Sequence, residues 1–152
     1  MLHLVLYHPA IPQNAGNVAR TTVGFAAHLH LVKPYKFEIT DHAVQRAGLD
    51  YWPHVRLAEH ENDDAFLDWL GDRAPWLVTK FGPLRFDQPD YRDGDVLILG
   101  NENTGLPDAW RERWPDRCVS IPILGPIRSY NQSNAAAIML AHASLKAGVF
   151  NG

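Results

Sequence analysis

The feature that most narrows what this chain can fold into is a pattern that occurs twice in its last third. Two short apolar runs, residues 96–99 (VLIL) and 119–123 (VSIPI), are bounded by turn residues. Each opens into a loop rich in Gly, Asn and Pro that leads to a helix start. Runs of this length and composition suit buried strands. The first loop covers residues 100–107; the second covers 125–134 and carries Arg128, Ser129, Tyr130 and Asn131. A strand, a polar glycine loop and a helix start in succession are where open α/β sheets bind ligands. Backbone N–H groups point outward there, and the helix N-terminus carries a partial positive charge. Two such loops close in sequence imply one site with two walls.

The helix after the second loop can be capped by Asn131, Ser133 or Asn134, and Gly148 is placed to stop it. Ala135, Ala136, Ala137, Ala141 and Ala143 cover more than one of its faces. Either alanine merely favours the helix, or these small sides let a neighbouring helix or loop approach closely.

Upstream, residues 2–7 read as the first strand. After the loop IPQNAGN a helix is expected over 17–26, entered at Asn14 or Gly16. Residues 28–32 form a second strand. Thr40-Asp41 can cap a short helix ending at Gly48, and a short strand is expected at 55–57 after a turn at Pro53. Asn62, Asp63 and Asp64 cap a helix that stops before Gly71; residues 76–79 form a further strand. An irregular connection runs through 80–93, and Pro107 suits the first position of a helix. Strands and helices alternate throughout. This predicts an α/β fold, a mostly parallel sheet flanked by helices, in one domain over residues 1–152. The loops after strands 2–7, 76–79, 96–99 and 119–123 would all lie at the carboxyl edge of that sheet.

Net charge is −3, which disfavours a protein that simply coats nucleic acid. The distribution is uneven. Residues 1–37 contain no Asp or Glu but carry Arg20, Lys33, Lys36 and four histidines, while acid collects at 59–64. A locally positive end can touch phosphate; chance clustering on a small surface is the alternative. The single cysteine, Cys118, excludes an internal disulfide and fits a reducing compartment. With no basic leader and no membrane-length apolar run, the expected compartment is the cytoplasm, with no membrane partner.

Several chemistries are excluded by residue type. Gly100 and Gly105 have the outer spacing of a phosphate loop, but Leu106-Pro107 follows where a Lys and a hydroxyl residue are needed. No GxGxxG follows the first strand. Ser129 lacks the flanking glycines of a nucleophile elbow. His28 and His30 would share a strand face without a third ligand, so no metal is expected. Glu102, between glycines and near helix starts, either fixes its loop by accepting backbone N–H bonds or contacts a ligand directly. Arg20 and Arg128 are either ordinary surface arginines or bidentate clamps for phosphate.

Three ordered motifs resemble the SPOUT methyltransferases, and within them the small tRNA wobble-position ribose 2′-O-methyltransferases. They are PAIPQNAGNVAR (9–20) followed by LHLVKPYKF (29–37); LGNENTGLP (99–107); and IPILGPIRSYNQSNAAAIMLA (121–141). AGLDYW (47–52) is similar to a segment of that subfamily. The resemblance implies a parallel sheet whose C-terminal segment threads a loop into a deep trefoil knot. It implies S-adenosylmethionine bound there by backbone groups near Val78, Thr79, Gly100, Ile121, Ile123, Ser129 and Tyr130. It implies a homodimer acting on tRNA. Arg20 would orient the phosphate adjacent to the reacting ribose or stabilise its alkoxide, Asn14 would position the ribose, and Glu102 and Ser129 would shape the pocket. Asn101 and Asn103, on either side of Glu102, depart from the family pattern. A ribosomal RNA 2′-O-methyltransferase and a non-catalytic RNA or nucleotide-binding module are the alternatives.

Overall fold

The computed structural model describes residues 1–39 and 51–151. The helix expected after Thr40-Asp41 and most of the AGLDYW segment lie outside the described residues. Within them the elements are β1 (His3–Tyr7), α1 (Pro12–Gly24), β2 (His28–Val32), β3 (Leu57–His60), α2 (Asp63–Leu70) and β4 (Trp76–Val78). They continue with β5 (Leu84–Arg85), β6 (Val96–Leu99), α3 (Asp108–Arg113), β7 (Cys118–Ser120) and α4 (Gln132–Lys146).

The described strands form one seven-stranded sheet in the order β3-β2-β1-β6-β4-β7-β5. Every described pairing is parallel. Parallel neighbours need crossovers, and the alternating strands and helices supply them. The two central strands, β1 and β6, are the most deeply apolar: Leu4, Val5, Leu6, Leu97 and Ile98 are fully buried. That is why these runs lack the polar alternation of a half-exposed strand.

Each sheet face has its own core. On one, Leu4, Leu6, Leu97 and Leu99 pack with Ala15, Val18 and Ala19 of α1 and with Ala136, Met139, Leu140 and Ala143 of α4. Helices α1 and α4 are in contact, and the buried alanines are what let them approach closely. On the other, Val5, Tyr7 and Ile98 pack with Phe66 and Leu70 of α2 and Trp110 of α3. Cys118 begins β7, is buried, and burial pushes its thiol pKa up, away from reactivity. No helix among the described residues is long and apolar enough to cross a membrane.

Several boundaries differ from expectation. Helix α1 starts at Pro12, five residues before Asn17, and is not entered at Asn14 or Gly16. Proline at the first position needs no N–H partner, and the residues leading into it are held by a distant acid described below. Strand β3 begins at Leu57 rather than 55, because it pairs in register with Leu29–Val32. Strand β7 stops at Ser120, short of Ile123. Pro122 cannot donate to a ladder, and the chain leaves the sheet there. The connection through 80–93 contains the two-residue strand β5, paired with β7. Pro107 caps α3 from outside instead of opening it. Asn62 caps α2 as expected, accepting from the Ala65 N–H at 2.7 Å. At α4 the cap is Asn131.

The positive N-terminal region meets the acidic stretch directly. Lys33 Nζ lies 3.0 Å from Glu61 Oε1, and His8 Nε2 lies 2.8 Å from Asp63 Oδ1. Tyr7 and Tyr35 hydroxyls donate to Asp63 and Glu59. Arg20, by contrast, remains exposed on α1.

His28 and His30 do share a face of β2, and β1 and β3 add His3 and His60. His3 Nδ1 is 2.9 Å from His30 Nε2, and His30 Nδ1 is 3.0 Å from His60 Nε2. His28 stacks on His3, and Trp69 covers the row. A neutral imidazole donates once and accepts once, so the row is satisfied when uncharged. Among the described residues no group of His, Cys, Asp or Glu is arranged to hold a metal ion. Burial, with the neighbouring His28, Arg73 and N-terminal charges, depresses His3 to about 4; burial with His3 and His60 depresses His30 to about 3. Burial lowers His60 as well.

These histidines make stability pH-dependent. The unfolded chain takes up their protons near 6.5, the folded chain only near 4 and below. Stability is therefore full above about pH 6.5, declines as pH falls, and levels off only below about 3, at roughly 1.4 kcal/mol per pH unit per group at most. Urea unfolding between pH 8 and 4 should show this decline. In His30→Gln the slope should be shallower, whatever that variant's absolute stability.

A cavity where four strands end

The loops that follow β1, β4, β6 and β7 meet at the carboxyl edge of the sheet and line an open cavity of about 830 Å3. That volume is of the size that holds a cofactor or nucleotide. Its walls come from Ile11 and Asn14, from Val78 to Phe81, from Leu99 to Leu106, and from Ile121, Ile123 and Ser129 to Gln132. Of the expected site residues, Val78, Thr79, Gly100, Ile121, Ile123, Ser129, Tyr130, Asn14 and Glu102 all line it. Arg20 does not, and neither does Arg128.

The cavity is held open by a polar network joining segments some ninety residues apart. Ile11, the cap position of α1, offers no side-chain bond. The two N–H groups that lead into the helix are instead taken by Glu102 from across the sheet edge. Its Oε1 accepts from Ala10 N at 3.0 Å, and its Oε2 accepts from Ile11 N at 2.8 Å and Asn14 Nδ2 at 3.3 Å. An anion at a helix N-terminus is also favoured by the dipole. Asn14 is buried and accepts at Oδ1 from Asn131 Nδ2 at 3.2 Å. Asn131 in turn accepts from Ser133 N at 2.9 Å and Asn134 N at 3.4 Å, starting α4. Of the two readings of Glu102, the loop-fixing one is observed, and the residue also lines the cavity.

Asn101 closes the loop after β6. Its Oδ1 accepts from Asn103 N and Thr104 N at 2.7 and 3.0 Å, while its Nδ2 donates to His8 O at 2.6 Å. Its backbone exchanges two hydrogen bonds with Gly105. That tight pairing is why residue 100 is glycine: a Cβ there would sit 2.5 Å from the Gly105 carbonyl carbon. The second wall is tied by Tyr130, whose hydroxyl donates to Pro122 O at 2.7 Å. Gln132 is buried; its Nε2 donates to Gly100 O at 2.8 Å, and its Oε1, inside the cavity wall, has no hydrogen-bond partner among the described residues. A buried acceptor left bare is costly unless a ligand N–H or O–H meets it.

Sequence reasoning passed over Asn101, Gln132, Phe81 and Arg111 as site residues. Asn101 was visible as an Asx-type turn former before Gly105, and Gln132 as a polar residue entering an apolar helix. Nothing local marks Phe81 or Arg111.

The chain is similar in sequence and fold to known proteins. Residues 1–141 match the model of the SpoU rRNA Methylase family. A tRNA (cytidine(34)-2'-O)-methyltransferase of Methylovorus glucosotrophus is 38% identical over 144 residues, covering 94% of each chain. A solved structure reported as "Structural insights into the 2-OH methylation of C/U34 on tRNA" superposes with a TM-score of 0.91 at 41% identity, covering 96% of this chain and 95% of that one. An AdoMet-bound rRNA methyltransferase of Sinorhizobium meliloti gives 0.83 at 26% identity, covering 95% of this chain but 56% of its own.

Replacing Glu102 by Gln keeps its shape and removes its charge. The variant should lose about 1–3 kcal/mol in urea unfolding, as expected for charge-assisted bonds to backbone N–H groups. The change should leave the far-UV spectrum intact.

Proposed function

The chain belongs to the SpoU rRNA methylase family, and from that premise we propose that it is a methyltransferase that moves a methyl group from S-adenosylmethionine to the ribose 2′-hydroxyl of the tRNA wobble nucleotide, cytidine or uridine. The observation that carries this reading is the convergence of nine expected residues, from four chain segments, on one cavity. Ribosomal RNA is the weaker alternative. The wobble-nucleotide relative matches over nearly its whole length, whereas this chain spans 56% of the ribosomal RNA enzyme.

The residues present fit the donor. The bare Gln132 Oε1 and the backbone flanking Ile121 and Ile123 offer polar partners, and Val78, Leu99 and Ala135 offer apolar wall. S-adenosylmethionine, when bound, supplies a methyl group on a positively charged sulfur. Thr79, Gly100, Ser129 and Tyr130 would complete its cradle. The segment from Ile121 to Asn131, tied by Tyr130 and Gln132, is the part that would form the threaded knot of the family.

Transfer requires the ribose oxygen to be aligned and to lose a proton. Asn14, held rigid between Glu102 and Asn131, presents a fixed amide at the cavity wall. Arginine stays charged, so Arg20 acts by holding a phosphate or steadying negative charge on the ribose oxygen, not as a base. Its exposed position outside its own cavity suits contact with RNA between two subunits. Exposed Leu145 and Phe150, 65% and 60% accessible near the end of α4, are the apolar surface a second copy would cover.

Labelled methyl transfer to unmodified tRNA, followed by nucleoside digestion, should yield a 2′-O-methylated pyrimidine at position 34; no label in tRNA removes the reading. In Arg20→Ala, turnover should fall about 100-fold or more, as for loss of a charge-stabilising donor. Calorimetry should show S-adenosylmethionine still binding. Sedimentation should give twice the 17.1 kDa chain mass, and Leu145→Glu should return it toward one chain.

A further inference from the structure

At the mouth of the cavity a large aromatic side chain stands in solvent. Phe81 lines the cavity and is 63% exposed. Two cations attend it. The Arg111 guanidinium carbon lies 4.6 Å from the ring centroid, and Lys80 Nζ lies 5.4 Å from it. Arg111 is itself fixed by an ion pair with Asp108, and both line the same cavity. An exposed phenylalanine costs hydration and contributes nothing to either core, since it belongs to neither cluster.

The ring is mounted on a rigid base. Phe81 N donates to Thr79 Oγ1 at 3.3 Å, and Gly82 N donates to Thr79 O at 3.1 Å. Ser120 Oγ of β7 donates to Gly82 O at 3.1 Å. A Cβ at residue 82 would lie 2.5 Å from the Val119 carbonyl carbon, so this turn is pressed onto β7. The side chain before it therefore leaves the sheet edge at a fixed place beside the donor-binding wall.

From this the geometry points to Phe81 as a stacking platform for an unpaired base of the RNA substrate, next to the ribose that is methylated. The assignment rests on the reading of the chain as an RNA methyltransferase. A 2′-hydroxyl reaches the cavity only if its nucleotide is unstacked from its neighbours, and the freed base needs a new partner. A planar ring backed by a guanidinium provides one for any base, because every base has a π-face. Lys80, on a flexible stem beside the ring, meets the adjoining phosphate. Phe81 is thus a positioning residue for RNA, separate from the groups that hold the methyl donor.

Steady-state transfer to tRNA, calorimetry with S-adenosylmethionine and binding of an anticodon stem–loop RNA without donor test this together. Phe81→Ala should raise the KM for tRNA roughly tenfold or more, with kcat and donor affinity close to those of the unaltered chain. Phe81→Trp should restore the KM, and Phe81→Leu should not. Lys80→Ala should reduce the slope of log affinity for the stem–loop against log salt by about one unit. An unchanged KM in Phe81→Ala, a loss that follows donor affinity, full rescue by leucine, or a change in sedimenting mass would each overturn the assignment. Failure of the unaltered chain to methylate any RNA would instead remove the enzymatic reading. Stem–loop binding weakened by Phe81→Ala would still support the platform in that case.

Discussion

The structure depends on one carboxylate. Glu102 sits in the loop after the central strand β6 and accepts the backbone N–H groups of Ala10 and Ile11 at the start of α1. No side chain of its own caps this helix, and without Glu102 the two N–H groups that lead into it would lose their partner beside the cavity. Through Asn14 and Asn131 the same interaction reaches the first turn of α4. Two helix starts and one strand end are thereby fixed by a few polar atoms. Because charged hydrogen bonds are directional as well as strong, the network sets where the cavity walls stand and not merely that they are near one another.

The sheet explains why the network is needed at this edge. In a parallel sheet every loop after a strand emerges on the same side, and those after β1, β3, β6 and β7 lead to helices whose N-terminal donors point the same way. Several positive dipole ends crowd one rim. Some must be met by protein acceptors and others left to meet ligand. Glu102 takes the N–H groups that lead into α1, and Asn131 caps α4, both from within the chain. The buried Gln132 Oε1 is the reverse case, an acceptor whose partner the fold does not supply. The contrast between these atoms separates what the chain uses to fold from what it offers to a ligand.

Most of this was legible in the sequence, but only where the signal is local. The buried strands, the four glycine loops and the caps at Asn62 and Asn131 follow from periodicity and side-chain chemistry within a few residues. The start of α1 was misplaced because the acid that holds the residues leading into it lies some ninety positions away, and no window around Asn14 contains Glu102. The end of β7 was misplaced because Ile121 and Ile123 are apolar for the sake of the cavity, not the sheet. Phe81 could not be distinguished from a core aromatic, since exposure is a property of the folded surface. The histidines looked scattered along the chain, yet β1, β2 and β3 pair in register and bring four of them into one row.

Charge at the site is equally a matter of placement. A chain of net charge −3 is a poor polyelectrolyte partner for RNA when it is judged by its total. But charges act over about 8–10 Å at physiological salt, so a phosphate at the cavity mouth responds to what lies within that radius. Lys80 and Arg111 are there with Asp108 and Glu102, but Arg111 is paired to Asp108 and Glu102 is held by backbone N–H groups, while farther off Glu61 is engaged with Lys33 and Asp63 with His8. The acid that dominates the sum is thus partly spoken for by internal pairing, and the cations that face the cavity are not all matched in the same way. Such an arrangement favours a strand presented at one place over nucleic acid in general. That is the discrimination an enzyme modifying a single nucleotide requires, because broad affinity would hold it at the many positions where it has nothing to do.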